Sequence, residues 1–365
     1  MDRPSASTDG SSAGSQLAAR SSQLQPADAG WMARALRLAS LSLGQTWPNP
    51  GVGCVLVRDG RWLADGRHRR CGGLHAETDA LSRCPDARGA TAYVTLAPCT
   101  RHGRQPPCAE ALIRAGVARV VAAIADPHQD EAGARFAAAG IAYDVGCLGH
   151  LARHVHGGFL ARVTRGRPRL TGKWAQSADG FIAAAPLTRT AISCPTAYIL
   201  MRRRRRAFDA VLVGADTAQA DDPALTSPRP RAHGDEPGPL RIVVARDARV
   251  PGTRLRDGSV PTLVVHAPGA VPPAGIAGVA VADPHDPAQV AAALGGLGLN
   301  EVVVEGGARV HAAWLPFYDR LEVYLGQAAL GGGVPAPPLP GDGWIAEGSP
   351  TLAGATRVMR WTRLS

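Results

Sequence analysis

Two cysteines, one histidine and one glutamate carry the clearest chemical signal in this sequence. Cys99 and Cys108 lie nine positions apart in the Pro-rich segment LAPCTRHGRQPPCAEAL, and His75 and Glu77 belong to an upstream His-Ala-Glu triplet. One His and two Cys can hold zinc through three protein ligands and leave a fourth position open. At an open position, zinc lowers the pKa of bound water to about 7. A glutamate two residues after the ligand His can then move protons without binding the metal.

These residues, with the proline before each cysteine, match the pattern of zinc-dependent base deaminases. In such enzymes His-x-Glu precedes Pro-Cys and a second Cys, and the Glu acts as general acid and base. We expect both Cys99 and Cys108 at the start of a helix, where partial positive charge favours thiolates. The alternatives are coincidence and a purely structural zinc, because a lone His-Ala-Glu is usually a helix start and a lone Cys a core residue.

Bulk composition bounds the class of protein. The 365 residues suffice for two domains, and the net charge of +10 favours an anionic partner, which could be nucleic acid or a phosphorylated metabolite or cofactor. Seven cysteines, an odd number spread along the chain, argue for metal or catalytic use over a disulfide framework. No apolar run reaches the length of a membrane span, and residues 1–29 lack the apolar core of a secretory signal. We therefore expect a cytoplasmic protein.

Local patterns predict two successive α/β units. In the first, order is expected to begin near Trp31 with a helix, and GVGCVLV and RWLAD predict a β-hairpin. ATAYVTL, CAEALIRAGV and ARVVAAIAD follow as strand, helix and strand, which predicts a parallel pair with a right-handed crossover. The segments predicted as strands of the second unit are RLTGKWAQ, DAVLVG, LRIVVA, TLVVHA, VAVAD, EVVVEGG and LEVYLG. The two glycines of VVVEGG lead into the start of a predicted helix, where backbone N–H groups can bind a phosphate group.

Longer motifs resemble those of the bifunctional riboflavin-biosynthesis deaminase/reductase family. The chain reads WPNPGVGCV, GGLHAETDAL and PCTRHGRQPPCAEAL where the family typically reads SPNPMVGCV, GGPHAEVNAL and PCSHHGRTPPCAEAL. Further on it reads GKWAQSADGFIA, DAVLVGADTAQADDPALT and VVVEGGARV, against LKLAMSLDGKIA, DAILVGINTVLADDPSLT and VLVEGGATL. The resemblance covers about residues 31–340 and is most specific in the first half.

The resemblance implies an α/β fold in two domains with two cofactors, Zn²⁺ and NADPH. A cytidine-deaminase-like α/β/α domain would precede a dihydrofolate-reductase-like α/β domain. The implied division is a disordered tail at 1–29, a zinc-dependent deaminase domain at 30–148, a connecting segment at 149–168 and an NADPH-dependent reductase domain at 169–365.

The resemblance also implies roles for individual residues of the first site. The residues it assigns to zinc binding and proton transfer are His75, Cys99 and Cys108 as ligands and Glu77 as the proton shuttle. Asn49 and His68 would contact the pyrimidine, and Arg104 would bind the ribose phosphate through charge-assisted hydrogen bonds. The alternatives are a turn-forming Asn49 and a solvated Arg104.

For the second site, the resemblance assigns seven residues. Those implied to bind substrate are Lys173, Asp179 and Asp222, and those implied to bind the cofactor are Thr217, Glu305, Gly306 and Gly307. The alternative is that Asp222 caps a turn and Lys173 is a solvated strand residue. The run of five arginines at 202–206 points all round a helix, so we expect a solvated helix with some side chains near an anionic ligand.

Several positions depart from the family pattern. In the first half these are Ala97 for a usual Glu, Asp79 for Asn, Arg101 for His and His128 for Asn. In the second half, PLTRTAIS lacks the Trp of the family's Gly-x-Ser-x-Trp-Ile segment, and Pro228 replaces an Arg.

The leading hypothesis is a bifunctional enzyme of riboflavin synthesis. It would deaminate 2,5-diamino-6-ribosylamino-4(3H)-pyrimidinone 5′-phosphate and then reduce the ribosyl group to ribityl with NADPH. The alternatives are a deaminase-only paralogue acting on a related pyrimidine with a degenerate reductase half, a nucleic-acid base editor, and a non-enzymatic binding module. The expected partner is a small phosphorylated pyrimidine, with no nucleic acid and no membrane. Homo-oligomers are common among such enzymes.

Overall fold

The computed structural model of the chain describes residues 24–103, 105–129, 131–228 and 238–364. In this part of the chain, strands and helices alternate and form two mixed α/β units joined by a pair of helices. The α/β class predicted from the sequence is therefore confirmed. No helix among these residues has the length and apolar character needed to cross a membrane.

The first unit is a five-stranded sheet with helices on both faces. Its elements are, in chain order, α1 (Pro26–Ser40), β1 (Gly53–Arg58), β2 (Arg61–Arg67), α2 (Ala76–Leu81), β3 (Thr91–Val94), α3 (Cys108–Arg114), β4 (Arg119–Ala122), α4 (Ala132–Ala138) and β5 (Ala142–Val145). The sheet order is β2-β1-β3-β4-β5. The predicted hairpin β1–β2 is antiparallel, and the predicted pair β3–β4 is parallel, so both are confirmed. β5 and α4 were not predicted.

Apolar side chains cover both faces of this sheet. Met32 and Leu36 of α1 pack on one face, and Leu112 of α3 and Phe136 of α4 pack on the other. Each helix presents an apolar stripe because its small and aliphatic residues recur at helical spacing. The helices α2 and α3 are thereby fixed relative to the sheet.

The start of α1 corrects the expectation that residues 1–29 form a disordered tail. The helix begins at Pro26, and residues 1–23 lie outside the described part of the chain. Asp28 is buried, its carboxylate accepts hydrogen bonds from Tyr93 at 2.8 Å and from Arg119 at 2.9 Å, and it anchors the first turn to β3 and β4. A carboxylate in the first turn also interacts favourably with the partial positive charge at the start of a helix. The sequence prediction of the helix start did not take this signal into account.

The predicted connecting segment is helical. It forms α5 (Gly149–Val155) and α6 (Gly157–Arg165), and Ala152 and Phe159 belong to the apolar core of the first unit. The N–H of Gly158 also donates to the carboxylate of Glu301 at 3.1 Å. The connector therefore contacts both units.

The second unit contains a ten-stranded mixed sheet. Its elements are β6 (Arg169–Gln176), β7 (Phe181–Ala183), α7 (Pro195–Arg204), β8 (Ala210–Gly214), α8 (Ala215–Asp221), β9 (Leu240–Val244), β10 (Thr262–His266), β11 (Ala277–Ala280), α9 (Pro287–Gly296), β12 (Glu301–Val304), α10 (Ala308–Trp314), β13 (Arg320–Leu325), β14 (Val334–Pro335), β15 (Trp344–Ala346), β16 (Thr351–Ala353) and β17 (Thr356–Arg363). Every strand predicted for this unit is present. The strands β7 and β14 to β17 were not predicted.

The strand order places several loops at one edge of this sheet. The order is β11-β10-β9-β8-β12-β6-β13-β17-β15, with β16 paired to β17. From β11 to β13 all neighbours are parallel, so the carboxyl ends of these seven adjacent strands meet at the same edge. Ligands of open α/β sheets bind at such an edge.

Two candidate active sites

Three groups with metal-ligating atoms meet between α2 and α3. His75 precedes α2, Cys108 begins α3 and Cys99 lies in the loop after β3. The Nδ1 of His75 is 3.3 Å from the Sγ of Cys108 and 3.7 Å from that of Cys99, and all three ligand atoms lie within 4.8 Å of one another. Tetrahedral zinc with ordinary bond lengths sets such atoms roughly 3.5 to 3.8 Å apart. The donor set therefore fits a zinc ion.

The two thiols differ in their surroundings. Cys108 starts a helix as predicted, but Cys99 lies in a loop, so its predicted place at a helix start is wrong. The Cys99 thiolate is favoured by other means. A hydrogen bond from the Cys108 thiol, followed by one from His75, lowers the pKa of Cys99 to about 4. The backbone N–H of Cys108 also donates to the Cys99 Sγ at 3.3 Å. The same pairing, together with burial, raises the pKa of Cys108.

Glu77 lies in the first turn of α2, buried beside the three ligand residues. Burial, and next the negative charge of Cys99, raise its carboxyl pKa to about 7. A general acid and base works best when its pKa is near the working pH, because it can then both take and give a proton. The environment of Glu77 suits proton transfer, the role that the sequence predicts for it.

Asn49 and His68 lie next to the candidate metal site. The Nδ1–H of His68 donates to the carbonyl of Leu74 at 2.9 Å, which leaves Nε2 as an acceptor 3.5 Å from the Nδ2 of Asn49. The His68 ring also meets the His75 ring edge to face, with centroids 5.3 Å apart. Burial lowers the pKa of His68, so the ring is neutral at pH 7. Both predicted pyrimidine contacts are therefore brought to the site, whereas Arg104 lies outside the described residues.

Gln129 is a contributor that the sequence prediction missed. Its side-chain carbonyl accepts hydrogen bonds from the N–H of Thr100 at 2.7 Å and of Arg101 at 3.1 Å. These contacts hold the loop that carries Cys99. No spacing or motif distinguishes this glutamine in the sequence, because its partner lies a whole helix and strand away.

The departure at Asp79 affects the fold of this unit. Asp79 is buried in α2, and its carboxylate accepts from the backbone N–H of Arg67 at 3.0 Å and from the Arg83 guanidinium at 2.5 Å. The contact with Arg67 ties α2 to the end of β2. A carboxylate can therefore stand at this position because cations and a backbone donor surround it.

The second candidate site is a cavity of about 1600 Å³ at the carboxyl edge of the larger sheet. Five of the predicted residues line it: Lys173, Thr217, Glu305, Gly306 and Gly307. Typical sites for one small ligand occupy about 300 to 1000 Å³. This cavity therefore has room for a cofactor and a substrate together.

The two glycines after β12 bring the backbone close to this cavity. A Cβ on Gly306 would lie 2.5 Å from the Cβ of Val310, and a Cβ on Gly307 would lie 3.3 Å from the Oγ1 of Thr217. The N–H of Gly307 donates to that same hydroxyl at 2.9 Å, which joins the loop after β12 to α8. Because these two glycines have no side chain, a nucleotide cofactor can approach the backbone of the loop closely.

A buried cluster of charges forms the floor of the cavity. The carboxylate of Glu305 accepts from Arg205 through Nε at 2.9 Å and Nη2 at 2.8 Å, and it lies 3.5 Å from the Nζ of Lys173. Burial lowers the pKa of Lys173, against the attraction of Glu305. Lys173 is therefore not the solvated strand residue of the alternative interpretation.

The arginine run is not uniformly solvated. Arg205 is buried and Arg204 pairs with Glu322 at 2.6 Å, whereas Arg203 and Arg206 are exposed. The expectation of a solvated helix thus fails for two of the five residues, because the acidic side chains of Glu305 and Glu322 pair with Arg205 and Arg204.

Asp179 and Asp222 do not line the cavity. The Asp179 carboxylate accepts from Ser177 and from the backbone N–H groups of Leu330 and Gly331. The Asp222 carboxylate accepts from Thr253 and Arg254. Both side chains cap turns, which for Asp222 is the alternative that the sequence left open, and the structure does not bring either to Lys173.

Comparison with known proteins agrees with this division into two sites. Residues 26–124 match the family described as the cytidine and deoxycytidylate deaminase zinc-binding region, and residues 168–356 match the RibD C-terminal domain. The first match contains His75, Glu77 and both cysteines. The second contains every residue discussed above for the cavity.

Similar proteins span nearly the whole chain. The riboflavin biosynthesis protein RibD of Aquifex aeolicus is 35% identical over 320 residues, which cover 84% of this chain and 89% of that protein. RibD of Bacillus amyloliquefaciens is 33% identical over 86% of this chain and 88% of its own length. The crystal structure of a diaminohydroxyphosphoribosylaminopyrimidine deaminase/5-amino-6-(5-phosphoribosylamino)uracil reductase from Thermotoga maritima superimposes with a TM-score of 0.83 at 27% identity, covering 92% of this chain and 99% of that one.

Proposed function

The chain belongs to the RibD family of bifunctional riboflavin-biosynthesis enzymes, and on that premise we propose which residues carry its two reactions and on which substrate they act. It is a zinc-dependent deaminase and an NADPH-dependent reductase. The predicted family, the pairing of a cytidine-deaminase-like domain with a dihydrofolate-reductase-like domain, and the two cofactors are confirmed. The bifunctional interpretation is favoured over the deaminase-only alternative.

The proposed substrate is 2,5-diamino-6-ribosylamino-4(3H)-pyrimidinone 5′-phosphate. In the first reaction water replaces an exocyclic amine of the ring, and ammonia leaves. In the second, a hydride and a proton add to the ribosyl group and convert it to ribityl. The name of the Thermotoga maritima enzyme, which couples the same two activities, supports this choice.

For deamination, we assign the metal to His75, Cys99 and Cys108. Zinc held there would lower the pKa of the attacking water. Glu77 would accept the proton that this water loses and return protons to the ring nitrogen and to the departing amine. The observation that carries the proposal is the buried Glu77 carboxyl, with a pKa of about 7, beside three ligand atoms that lie within 4.8 Å of one another.

Asn49 and His68 are proposed to bind the pyrimidine. The Asn49 amide can donate to or accept from a ring edge, and the neutral His68 ring lies between Asn49 and the ligand His75. Arg104 remains the proposed contact of the phosphate.

For reduction, we assign the substrate to the charged floor of the cavity and the cofactor to its glycine-lined wall. NADPH, when bound, supplies the hydride. The buried Lys173 side chain offers hydrogen-bond donors to the sugar oxygens, and the nearby Glu305 carboxylate favours its charged form. Thr217, Gly306 and Gly307 are proposed to contact the cofactor. Asp179 and Asp222 stay predictions as substrate residues, and their carboxylates would first have to leave the turns they cap.

The enzyme acts on a small pyrimidine. We propose further that it binds neither nucleic acid nor membrane, works in the cytoplasm and forms a homo-oligomer. The proposed deaminase domain comprises α1 to β5, with α5 and α6 as connector and the remaining elements as the reductase domain.

The test is a mass-spectrometric assay of the zinc-loaded protein with the diaminopyrimidine ribosyl phosphate. We expect the deaminated compound alone without NADPH, and the deaminated and reduced compound when NADPH is added. Absence of any deamination by a protein with one zinc per chain would refute the proposed substrate.

A further inference from the structure

The turn that carries Asn49 is part of the contact between the two units. Two close backbone approaches mark this contact. A Cβ on Gly298, just before β12, would lie 2.7 Å from the Cβ of Pro48. A Cβ on Gly44 would lie 2.1 Å from the carbonyl oxygen of Arg206. The two surfaces therefore fit together at backbone distance, which only glycine permits.

Asn300, the residue before β12, reaches across this contact. Its buried side-chain amide donates to the carbonyl of Pro48 and to that of Asn49, each at 3.3 Å. Arg162 of α6 donates to the same Pro48 carbonyl at 2.8 Å and, through Nε, to the Asn300 side-chain oxygen at 2.7 Å. All hydrogen-bonding groups of the Asn300 side chain therefore point at the turn or at the arginine that supports it.

Asn300 is itself held rigidly in the second unit. Its backbone N–H and that of Glu301 donate to the buried carboxylate of Asp209, at 2.7 and 2.9 Å. Asn300 therefore presents its amide from a fixed position. A group fixed in this way can set the orientation of a neighbouring turn.

The turn continues directly into the deaminase site. The Asn49 carbonyl also accepts from the Thr46 hydroxyl at 3.1 Å, and the Asn49 N–H donates to the Thr46 carbonyl at 2.9 Å. With its backbone held on both sides, the Asn49 side chain is directed to within 3.5 Å of His68.

We propose that Asn300 is a positioning residue of the deaminase reaction, although it belongs to the reductase unit. By donating to the Pro48 and Asn49 carbonyls, it aims the Asn49 side chain at the pyrimidine. The deaminase substrate site is thus completed by the other unit of the chain. This inference rests on the proposed pyrimidine-binding role of Asn49.

The test uses the full-length, zinc-loaded enzyme with Asn300→Ala and Asn300→Asp. Asp fills the same space and can accept from Arg162, but its carboxylate cannot donate to the two carbonyls. We expect both variants to raise the deaminase KM roughly fivefold to tenfold, the effect of one or two lost hydrogen bonds, with kcat changed less than about twofold. Zinc content and the reduction of the deaminated substrate should stay at the wild-type level. A wild-type KM in Asn300→Asp would overturn the role of the amide donor.

A double-mutant cycle distinguishes positioning of Asn49 from a general weakening of the contact between the two units. If Asn300 acts through Asn49, then Asn300→Ala should add little to the KM of Asn49→Ala, because the side chain it aims is already gone. If the KM of the double variant rises by the product of the two separate increases, the proposal is contradicted. Arg165→Ala is the matched control, since it removes another polar contact of α6 with the second unit, to Asp319 at 2.8 Å, without touching the turn. It should leave the deaminase KM unchanged.

Hydrogen exchange tests the inference without any turnover. In Asn300→Ala, the Asn49 amide and its neighbours between Gly44 and Gly51 should exchange faster than in the wild type, while amides of β3 and β4 should not. Unchanged exchange in that turn would overturn the inference. If the wild type instead fails to deaminate the diaminopyrimidine, the proposed function is refuted, and the exchange result still decides whether Asn300 holds the turn.

Discussion

Arg205 holds Glu305 in a buried two-point ion pair at the floor of the reductase cavity, with Nε and Nη2 at 2.9 and 2.8 Å from the two carboxylate oxygens. Lys173 shares the same carboxylate at 3.5 Å. Two basic side chains thus contact one carboxylate, and all three side chains are about nine-tenths buried. This geometry fixes Glu305 as an ionised group and Lys173 as its partner.

Replacing Arg205 by Met should destabilise the reductase domain by about 3 kcal/mol at neutral pH, because it leaves buried charge less well compensated. Thermal denaturation measures this loss. Arg203→Met is the matched control from the same arginine run, and its exposed side chain predicts a change within about 0.5 kcal/mol. Equal stability of the two variants would contradict a special role for Arg205.

The pH dependence of that loss follows from Glu305. Burial alone would raise its pKa, but the attraction of Arg205 and then of Lys173 lowers it from an ordinary 4.5 to about 2. A lowered carboxyl pKa contributes stability that is full above the unfolded pKa and is lost as pH falls toward the folded pKa. The difference in stability between wild type and Arg205→Met should therefore be largest above pH 4.5 and narrow between pH 4.5 and about 2. A difference that widens on acidification would exclude this explanation.

Glu77→Gln should abolish deamination while the protein keeps its zinc, because Gln has nearly the same shape but cannot take or give a proton. We expect a fall in kcat of at least about 10²- to 10⁴-fold. Glu110→Gln is the control, since Glu110 lies on neighbouring α3 and pairs with Arg135 at 3.0 Å near the surface. Metal analysis and the NADPH-dependent half-reaction on the same samples should match the wild type. Retained turnover in Glu77→Gln would remove Glu77 from the proton-transfer role.

Cys108→Ser should lower the zinc content from one per chain toward zero and stop deamination, because a serine hydroxyl is a poor replacement for a thiolate ligand. Cys147→Ser offers a matched comparison. Cys147 is also buried in the first unit, but it lies in the core beneath α1 and outside the metal cluster. Zinc by elemental analysis should persist in Cys147→Ser, and the reductase half-reaction should persist in both. Full zinc in Cys108→Ser would reject the proposed ligand set.

The parts of the structure that the sequence predicted well depend on short-range patterns. The zinc ligands and Glu77 were identified because each lies in a motif of a few residues whose chemistry requires that spacing. The strands β8, β10 and β12 were identified because short apolar runs are typical of buried parallel strands. The parallel pairing of β12 with β6 then places Glu305, the residue after β12, beside Lys173 of β6.

The parts that the sequence missed depend on contacts between distant segments. Gln129, Asn300 and the pairing of Arg205 with Glu305 join residues separated by about thirty to two hundred and fifty positions. No local pattern distinguishes a glutamine that supports a loop from one that faces solvent. Likewise, Asp179 and Asp222 have the residue type expected of a substrate site, but their local turns offer backbone donors that engage both carboxylates.

The two glycines after β12 should differ in their tolerance of a side chain. In Gly306→Ala the new Cβ would lie 2.5 Å from the Cβ of Val310, an atom fixed to the α10 backbone, so the turn itself must move. In Gly307→Ala the nearest atom is the Thr217 hydroxyl at 3.3 Å, which can shift slightly. We therefore expect NADPH binding, measured by fluorescence titration, to weaken more than about tenfold in Gly306→Ala and less in Gly307→Ala.

Gly296→Ala provides the control for this comparison, since a Cβ there meets no atom within 4 Å and the residue ends α9 away from the cavity. Its affinity for NADPH should equal that of the wild type. Deamination should be unaffected in all three variants, because the zinc ligands belong to the other unit. Equal weakening in Gly307→Ala and Gly306→Ala would contradict this ranking. The loss of affinity would then come from contact between the cofactor and Gly307, and the clash with Val310 would not be the main cause.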